Sequence, residues 1–282
     1  MGSAAEALRD AAARLAAVSD TPRLDAELLM AHAAGMARED LLLRLRDIDT
    51  PEGFAPLVAR RMAHEPVSHI TGRRAFWTLE LSVTPDVLTP RPDTETLMEA
   101  AVAHFRGTAR PRRILDLGTG SGALLLAALD QWPAATGLGI DISAAALAVA
   151  RGNAERCGLA DRAEFRPGDW FAGIGEQFDL IVANPPYIRA GTALPPEVTE
   201  HEPHGALFAG ADGLDAYRAI APGLAARLAP GGIAAIEIGF DQQDDTSRLF
   251  AGRGLTISVS TDLGGRPRCI TATRPARPPI LG

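Results

Sequence analysis

The fold class of this chain is decided by the segment Ile114-Leu115-Asp116-Leu117-Gly118-Thr119-Gly120-Ser121-Gly122. A short apolar run with one acidic residue is followed at once by three glycines at alternate positions, and a helical pattern covers residues 121–131. Glycines at a turn between a strand and a helix let the backbone turn tightly and approach a ligand closely. The first N–H groups of the helix have no partners within it, so they are available to such a ligand.

The segments beyond this loop repeat the alternation of strand and helix. Strand patterns lie at 137–140, 163–165, 178–182, 233–238, 255–259 and 269–273, and helical patterns lie at 143–157 and 214–228. Ser143 is the expected N-cap of its helix and Gly158 its stop. We therefore predict an α/β fold: a doubly wound, seven-stranded, mostly parallel sheet of the Rossmann-like kind.

The N-terminal part of the chain has a different pattern. Residues 1–75 show apolar positions at helical spacing and predict a small helical bundle, which is either a substrate-recognition domain or a packing appendage. Leu79, Leu81 and Val83 alternate as in a strand and predict a hairpin linker over 76–91. The α/β domain is then expected over 92–282, with its first helix starting near Pro92-Asp93.

Composition excludes several classes of protein. The chain has 282 residues, 46% hydrophobic and 22% charged, as in an ordinary soluble globular protein, and no stretch is long and apolar enough for a membrane helix. The net charge of −7 argues against a protein that binds bare nucleic-acid backbone. All 28 basic residues are arginine, which excludes a Schiff-base lysine and a phosphate loop that needs one. The 2 cysteines form no disulfide framework, and we expect reduced thiols in a cytoplasmic protein.

Two acidic positions accompany the glycine loop. Asp141 ends the next strand, about 20 residues on, where a carboxylate can accept hydrogen bonds from the ribose hydroxyls of a nucleoside. Asp169-Trp170 follows the strand at 163–165, where the acid and the ring could hold an adenine, although an acidic turn with core aromatics fits as well. Because Gly118-x-Gly120-x-x-Ala123 also fits the loose dinucleotide fingerprint, a nicotinamide cofactor stays an alternative.

The tetrapeptide Asn184-Pro185-Pro186-Tyr187 directly follows the strand at 178–182 and carries the chemistry. Its place at the carboxyl end of the sheet is the edge where ligands bind in open α/β folds. The Asn184 side-chain oxygen and the Pro185 carbonyl are two acceptors on a rigid frame, and they suit the two hydrogens of a planar NH₂ group. Tyr187 can stack against that planar group. A rigid turn without chemistry leaves the adjacent amide and phenol unexplained.

These motifs resemble those of amino-group methyltransferases. The G-x-G-x-G spacing resembles the first motif of enzymes that use S-adenosylmethionine, and the tetrapeptide is similar to that of two families: adenine-N6 DNA methyltransferases and the glutamine-N5 methyltransferases of peptide-chain release factors. Further segments resemble the second family in its own order along the chain, namely 65–72 followed by Phe76, 88–95, 202–207 with 210–214, and 262–268.

The resemblance implies a cofactor, a substrate and a set of site residues. The cofactor S-adenosylmethionine is expected to contact Gly118, Thr119, Gly120, Ser121, Gly122, Asp141, Ile142, Asp169, Trp170 and Asn184. Asn184, Pro185, Pro186 and Tyr187 are expected to bind the glutamine of the Gly-Gly-Gln motif of a class I release factor, with Asn184, Pro185 and Tyr187 catalytic. The helical domain would then bind the release factor.

Other expectations and rival functions complete the prediction. We expect a monomer that binds neither membrane nor nucleic acid, and no metal, because His201-x-x-His204 with Glu202 is too small a ligand set. Glu237 could contact the substrate, and a structural role fits it equally well. The rival functions are an adenine-N6 nucleic-acid methyltransferase, a non-catalytic adaptor that binds S-adenosylmethionine, and a nicotinamide oxidoreductase.

Overall fold

A computed structural model describes residues 3–251 and 253–274, which form two compact units. The first unit runs to Arg73 and also includes Leu194–Glu202, and the second contains Arg74–Ala193 and the chain from Pro203 onward. The domain bounds 1–75, 76–91 and 92–282 stay predictions, and their residues 1–2, 252 and 275–282 lie outside the described part. No helix among the described residues is long and apolar enough to cross a membrane.

The first unit is built from helices. They are α1 (Ala4–Leu15), α2 (Pro22–Ala34), α3 (Arg38–Arg44), α4 (Phe54–Met62) and α5 (Val67–Thr71). Ser3 and Glu6 form a capping box at the start of α1. Pro22, which breaks the helical pattern in the sequence, occupies the first turn of α2, where a missing N–H costs nothing, and Gly35 ends this helix with φ +64°.

The second unit begins with a hairpin and continues as an α/β sheet. The hairpin strands are β1 (Arg73–Phe76) and β2 (Leu79–Ser82), and the sheet strands are β3 (Arg113–Leu117), β4 (Thr136–Asp141), β5 (Ala163–Pro167), β6 (Phe178–Ala183), β7 (Leu228–Glu237), β8 (Thr256–Thr261) and β9 (Pro267–Thr273). The remaining helices are α6 (Glu95–His104), α7 (Ala123–Gln131), α8 (Ala144–Arg156), α9 (Pro196–Thr199, in the first unit), α10 (Asp215–Arg227) and α11 (Gln243–Phe250). Helix α11 was not expected from the sequence.

The strand order β5-β4-β3-β6-β7-β9-β8 confirms the predicted seven-stranded, mostly parallel sheet. Only β9 runs antiparallel, to both β7 and β8. Neighbouring residues point to opposite faces, so that Ile114 joins the core under α6, α7 and α8 while Leu115 joins the core under α10 and α11. Because β3 lies between β4 and β6, the chain order reverses there, and ligands bind at the carboxyl ends of strands at such a point.

Most element boundaries lie within one or two residues of the predicted ones, and two of the differences have a clear physical reason. The sequence pattern ends a helix at residue 228 and starts a strand at 233, but β7 already starts at Leu228, which pairs with Phe178. The next pair is Leu180 with Ile233, so residues 229–232 form a bulge, in which Gly231 has φ +80°. Backbone hydrogen bonds join this bulge to Arg274: the Gly231 amide donates to the Arg274 carbonyl, and the Arg274 amide donates to the Gly232 carbonyl. Helix α7 begins at Ala123 rather than at residue 121 because Gly122, with φ +83°, is in the left-handed region.

Candidate active site

A cavity of about 260 Å³ lies at the carboxyl ends of β3, β4 and β6 in the second unit. The residues predicted from the sequence that line it are Gly118, Thr119, Gly120, Ser121, Asp141, Ile142, Asp169, Trp170, Asn184 and Pro186. Gly122, Pro185 and Tyr187 are not among its walls. Gly122 instead lies against α8, where an added Cβ would be 3.3 Å from the Cβ of Ala150.

The glycine loop is held by backbone hydrogen bonds from the neighbouring strand. The amides of Gly118 and Thr119 both donate to the carbonyl of Ile140, at 2.8 and 2.9 Å. Gly118 has φ +71° and Gly120 has φ +54°, backbone conformations that residues with a Cβ rarely adopt. These two positions therefore require glycine for the loop to turn under the cavity.

Asp116 lies under the loop as a buried acceptor, 1% exposed. Its Oδ2 accepts from the Thr119 hydroxyl at 2.6 Å and from the Leu125 amide at 3.3 Å. Its Oδ1 has no hydrogen-bond partner among the described residues. Burial raises the pKa of this carboxyl from 3.8 to about 7, against the lowering effect of those two hydrogen bonds. An unpartnered carboxylate oxygen in the wall of a cavity suits a cationic group of a ligand.

Asp141 has a structural role that the sequence did not indicate. Its Oδ2 accepts from the Gly120 amide and its Oδ1 from the Ser143 amide, both at 2.8 Å. The same carboxylate thus connects the glycine loop to the start of α8, whose N-cap is Ser143 as predicted. Each oxygen keeps a second lone pair, so the half-buried carboxylate can still accept from ribose hydroxyls.

Three further side chains line the cavity: Ile142, predicted to contact the cofactor, and Asp169 and Trp170, predicted to hold its adenine. Ile142 is 81% exposed although it is large and apolar. Asp169 is exposed, and the partly buried Trp170 has φ +48°, a strained conformation for a residue of its size. The Trp170 ring lies against the glycine loop, 3.7 Å from where a Cβ at Gly118 would stand. Trp170 thus shapes the cavity and packs in the core at once.

Asn184 enters the cavity from the end of β6, beside the glycine loop at the end of β3. Leu117 pairs with Ala183 in the register of these two strands, which brings the motifs together although they are far apart in sequence. The Asn184 side-chain Nδ2 donates to the Thr94 hydroxyl at 3.2 Å. In this orientation its Oδ1 remains available as an acceptor.

Tyr187 is directed into the protein. Its hydroxyl donates to Oε1 of Glu237 at 3.2 Å, and burial, together with the Glu237 charge, raises the pKa of the phenol. Its backbone carbonyl accepts from Nε2 of Gln242, which also donates to the Gly213 carbonyl. The ring therefore does not form a wall of the cavity, and its predicted stacking role stays a prediction.

Sequence reasoning missed several residues of the site. Thr94 lies 90 residues before its partner Asn184, and nothing in the local pattern connects the two. Other unexpected wall residues are Phe76, Val87, Leu88, Pro90, Leu124 and Gly205. The signal for Leu88, Pro90 and Thr94 was the family resemblance of segment 88–95, which pointed to the segment but not to a role for these side chains.

Family models match both parts of the chain. The model described as the PrmC N-terminal domain matches residues 6–72, and the methyltransferase small domain matches residues 93–203.

Two relatives show the family of the chain, and one solved structure shows its fold. The release factor glutamine methyltransferase of Rhodospirillum rubrum is 47% identical over 267 residues, covering 93% of this chain and 82% of the relative. That of Cereibacter sphaeroides is 48% identical over 280 residues, covering 97% and 99%. A methyltransferase structure from Pyrococcus furiosus is 15% identical with a TM-score of 0.53, covers 79% of this chain and 100% of that chain, and shows a shared fold.

Proposed function

The chain belongs to the family of release factor glutamine methyltransferases, and from this membership we propose its reaction. It transfers a methyl group from S-adenosylmethionine to the side-chain amide nitrogen of the glutamine in the Gly-Gly-Gln motif of class I release factors. The acidic chain, with a net charge of −7, is a poorer match for a nucleic-acid substrate.

The cavity residues fit S-adenosylmethionine. Bound there, this cofactor supplies a methyl group already activated on a sulfonium sulfur. Asp116 offers the cofactor's ammonium an unpartnered, buried carboxylate oxygen. Asp141 keeps lone pairs for its ribose hydroxyls, and the exposed Ile142 offers an apolar surface for its base.

The substrate amide is matched by two acceptors at the end of β6. A glutamine NH₂ group carries two hydrogens, and Oδ1 of Asn184 and the carbonyl of Pro185 can accept one each. The amide nitrogen is a weak nucleophile because its lone pair is delocalised into the neighbouring carbonyl. Accepting both hydrogens orients the nitrogen and stabilises the positive charge that develops on it as the new bond forms. No base is needed before the attack, and one of the two N–H protons leaves afterwards.

The observation that carries this proposal is the orientation of Asn184. One N–H of its Nδ2 donates to Thr94, and this contact turns the acceptor Oδ1 to the opposite side of the amide, at the edge of the cavity. A substrate that offers only a carbonyl oxygen would need a donor in that place.

Mass spectrometry of a purified class I release factor, incubated with this protein and S-adenosylmethionine, tests the proposal. We expect one added methyl on the glutamine of the Gly-Gly-Gln peptide, and none on a release factor in which that glutamine is replaced by alanine. The variant Asn184→Ala should lower kcat by roughly 10²–10³-fold, as loss of an oriented transition-state partner does. Its affinity for the cofactor should stay within about threefold, since Asp116 and Asp141 remain.

Two results would overturn the proposal. Full turnover by Asn184→Ala would remove the assigned role of the amide. Methylation of adenine in a nucleic acid, with none of the release factor, would replace the substrate by that of the rival family.

A further inference from the structure

Behind Asn184 lies a buried group of hydrogen-bonding side chains that the proposed reaction does not itself use. Glu237, at the end of β7, is 1% exposed. Its Oε1 accepts a hydrogen bond from the Tyr187 hydroxyl at 3.2 Å, and the neighbouring Thr94 hydroxyl acts to lower the pKa of the carboxyl. Thr94 in turn accepts from Nδ2 of Asn184. A chain of polar contacts thus runs from a buried carboxyl group to the amide at the cavity.

The surroundings of Glu237 compensate its charge poorly. Arg268, the nearby cation, makes its ion pairs with Asp93 at 3.1 Å and with Asp262 at 3.4 Å. Oε2 of Glu237 has no hydrogen-bond partner among the described residues. A carboxylate left in such a place destabilises the fold, and an apolar residue of similar size would serve packing better. A purely structural role therefore explains Glu237 badly.

We propose that Glu237 and Thr94 are positioning residues that set the orientation of the Asn184 amide. An ionised carboxylate can only accept, so the Thr94 hydroxyl donates to it. The lone pairs of that hydroxyl are then left for Nδ2 of Asn184, which turns Oδ1 toward the substrate. When Glu237 is protonated it can donate to Thr94, whose hydroxyl then donates to Asn184 and favours the flipped amide. The flipped amide presents NH₂ to the substrate NH₂, and two donors do not pair.

This inference rests on the proposed function and adds a pH dependence to it. Burial raises the pKa of Glu237 from 4.5 to about 7, so its ionisation falls in the range where activity can be measured. The titratable and charged groups that face it are Asp93 before α6, Tyr187 after β6, Tyr217 on α10, and Arg268 and Cys269 on β9. Since the ionised form orients Asn184 productively, kcat should rise with pH through about 7 and then level off.

The matched pair Thr94→Val and Thr94→Ser tests the contact. Valine has nearly the shape of threonine but no hydroxyl, whereas serine keeps the hydroxyl. For release-factor methylation we expect kcat to fall roughly tenfold in Thr94→Val, the effect of one lost hydrogen bond, and to recover to within about threefold of wild type in Thr94→Ser. Cofactor affinity, measured by calorimetry without the release factor, should stay within about threefold for both variants and shows that they are folded.

The variant Glu237→Gln tests the pH dependence. It has nearly the same shape and cannot ionise, so its kcat should be lower and should not rise between about pH 6 and 8. In the double variant Thr94→Val/Glu237→Gln the losses should not add, because both changes break the same chain of contacts.

The outcomes separate this inference from the proposed function. If the wild-type protein does not methylate the release factor, the proposed function fails. If it does, but Thr94→Val keeps wild-type kcat, or Glu237→Gln keeps the rise with pH, the positioning role is wrong while the function stands.

Discussion

Replacing Asp116 by asparagine should raise the free energy of unfolding and, at the same time, weaken the binding of the cofactor. The carboxyl is 1% exposed, and its pKa is raised from 3.8 to about 7, chiefly by burial. One pKa unit corresponds to about 1.4 kcal/mol, so ionised Asp116 costs the folded protein about 4 kcal/mol at pH 8. Asparagine keeps an acceptor for Thr119 and Leu125 and removes the charge.

The pH dependence of stability follows from the same shift. The folded state holds this proton more tightly than the unfolded state does, so the wild-type free energy of unfolding falls as pH rises from about 4 to about 7. In urea unfolding without cofactor, we expect Asp116→Asn to be more stable than wild type by about 1–4 kcal/mol at pH 8. The lower figure allows for its unpartnered NH₂ group. The difference should shrink as the pH is lowered toward 5.

Cofactor binding should change in the opposite direction. The new NH₂ replaces an acceptor by a donor where the cofactor's ammonium is expected, and a hydrogen bond to a charged group contributes about 1.5–3 kcal/mol. We expect the Kd for S-adenosylmethionine to rise about 10- to 100-fold in calorimetry at pH 8. The exposed Asp161 offers the control Asp161→Asn, which should change neither quantity. An Asp116→Asn protein that is less stable at pH 8 and binds the cofactor as wild type does would refute the reasoning.

Two further substitutions, one in each unit, test contacts that stabilise the fold. Gly213→Ala places a Cβ 2.4 Å from the Tyr187 carbonyl oxygen at φ +75°, so it should lower the melting temperature and reduce the free energy of unfolding by about 1–3 kcal/mol or more. The control Gly254→Ala, at φ +72° with nothing within 4 Å of the added Cβ, should reduce it only by the backbone strain of about 1 kcal/mol. Equal losses for the two alanines would contradict the close contact. Arg61→Met leaves the carboxylates of Asp25 and Glu197 without their shared, buried cation and should lower the free energy of unfolding, measured in urea, by about 3–5 kcal/mol. The control Arg60→Met breaks an exposed ion pair and should lower it by less than about 1 kcal/mol. A small effect at Arg61 would show that this ion pair does not hold the first unit together.

The buried ion pair also explains why one segment joins the first unit. Arg61 on α4 contacts Asp25 on α2 and Glu197 on α9, both at 2.8 Å. Glu197 lies in Leu194–Glu202, shortly after the tetrapeptide in sequence. The sequence pattern shows no change at this segment, because a single long-range ion pair leaves no periodic signal.

The features that the sequence determined are local ones. Conformational preferences and hydrophobic spacing act within a few residues, so they can be recognised without a structure. They determine the glycine loop, the strand–helix alternation and the tetrapeptide. Placing Gly118, Asp141 and Asn184 near one another needed only the rule that parallel strands present their carboxyl ends at one edge. At residues 229–232 proline and glycine interrupt the strand without ending it, because β7 pairs with β6 on both sides of this bulge, at Leu228 and at Ile233.

Only the tertiary structure decided which atoms of the site are occupied and which are left for a ligand. Whether Asn184 presents oxygen or nitrogen depends on Thr94, and the role of Thr94 depends on Glu237, which lies far from both in sequence. The unpartnered oxygen of Asp116 likewise results from burial between β3 and α7. Hydrogen-bond direction and desolvation are set by neighbours in space, and a linear pattern of residue types does not contain them.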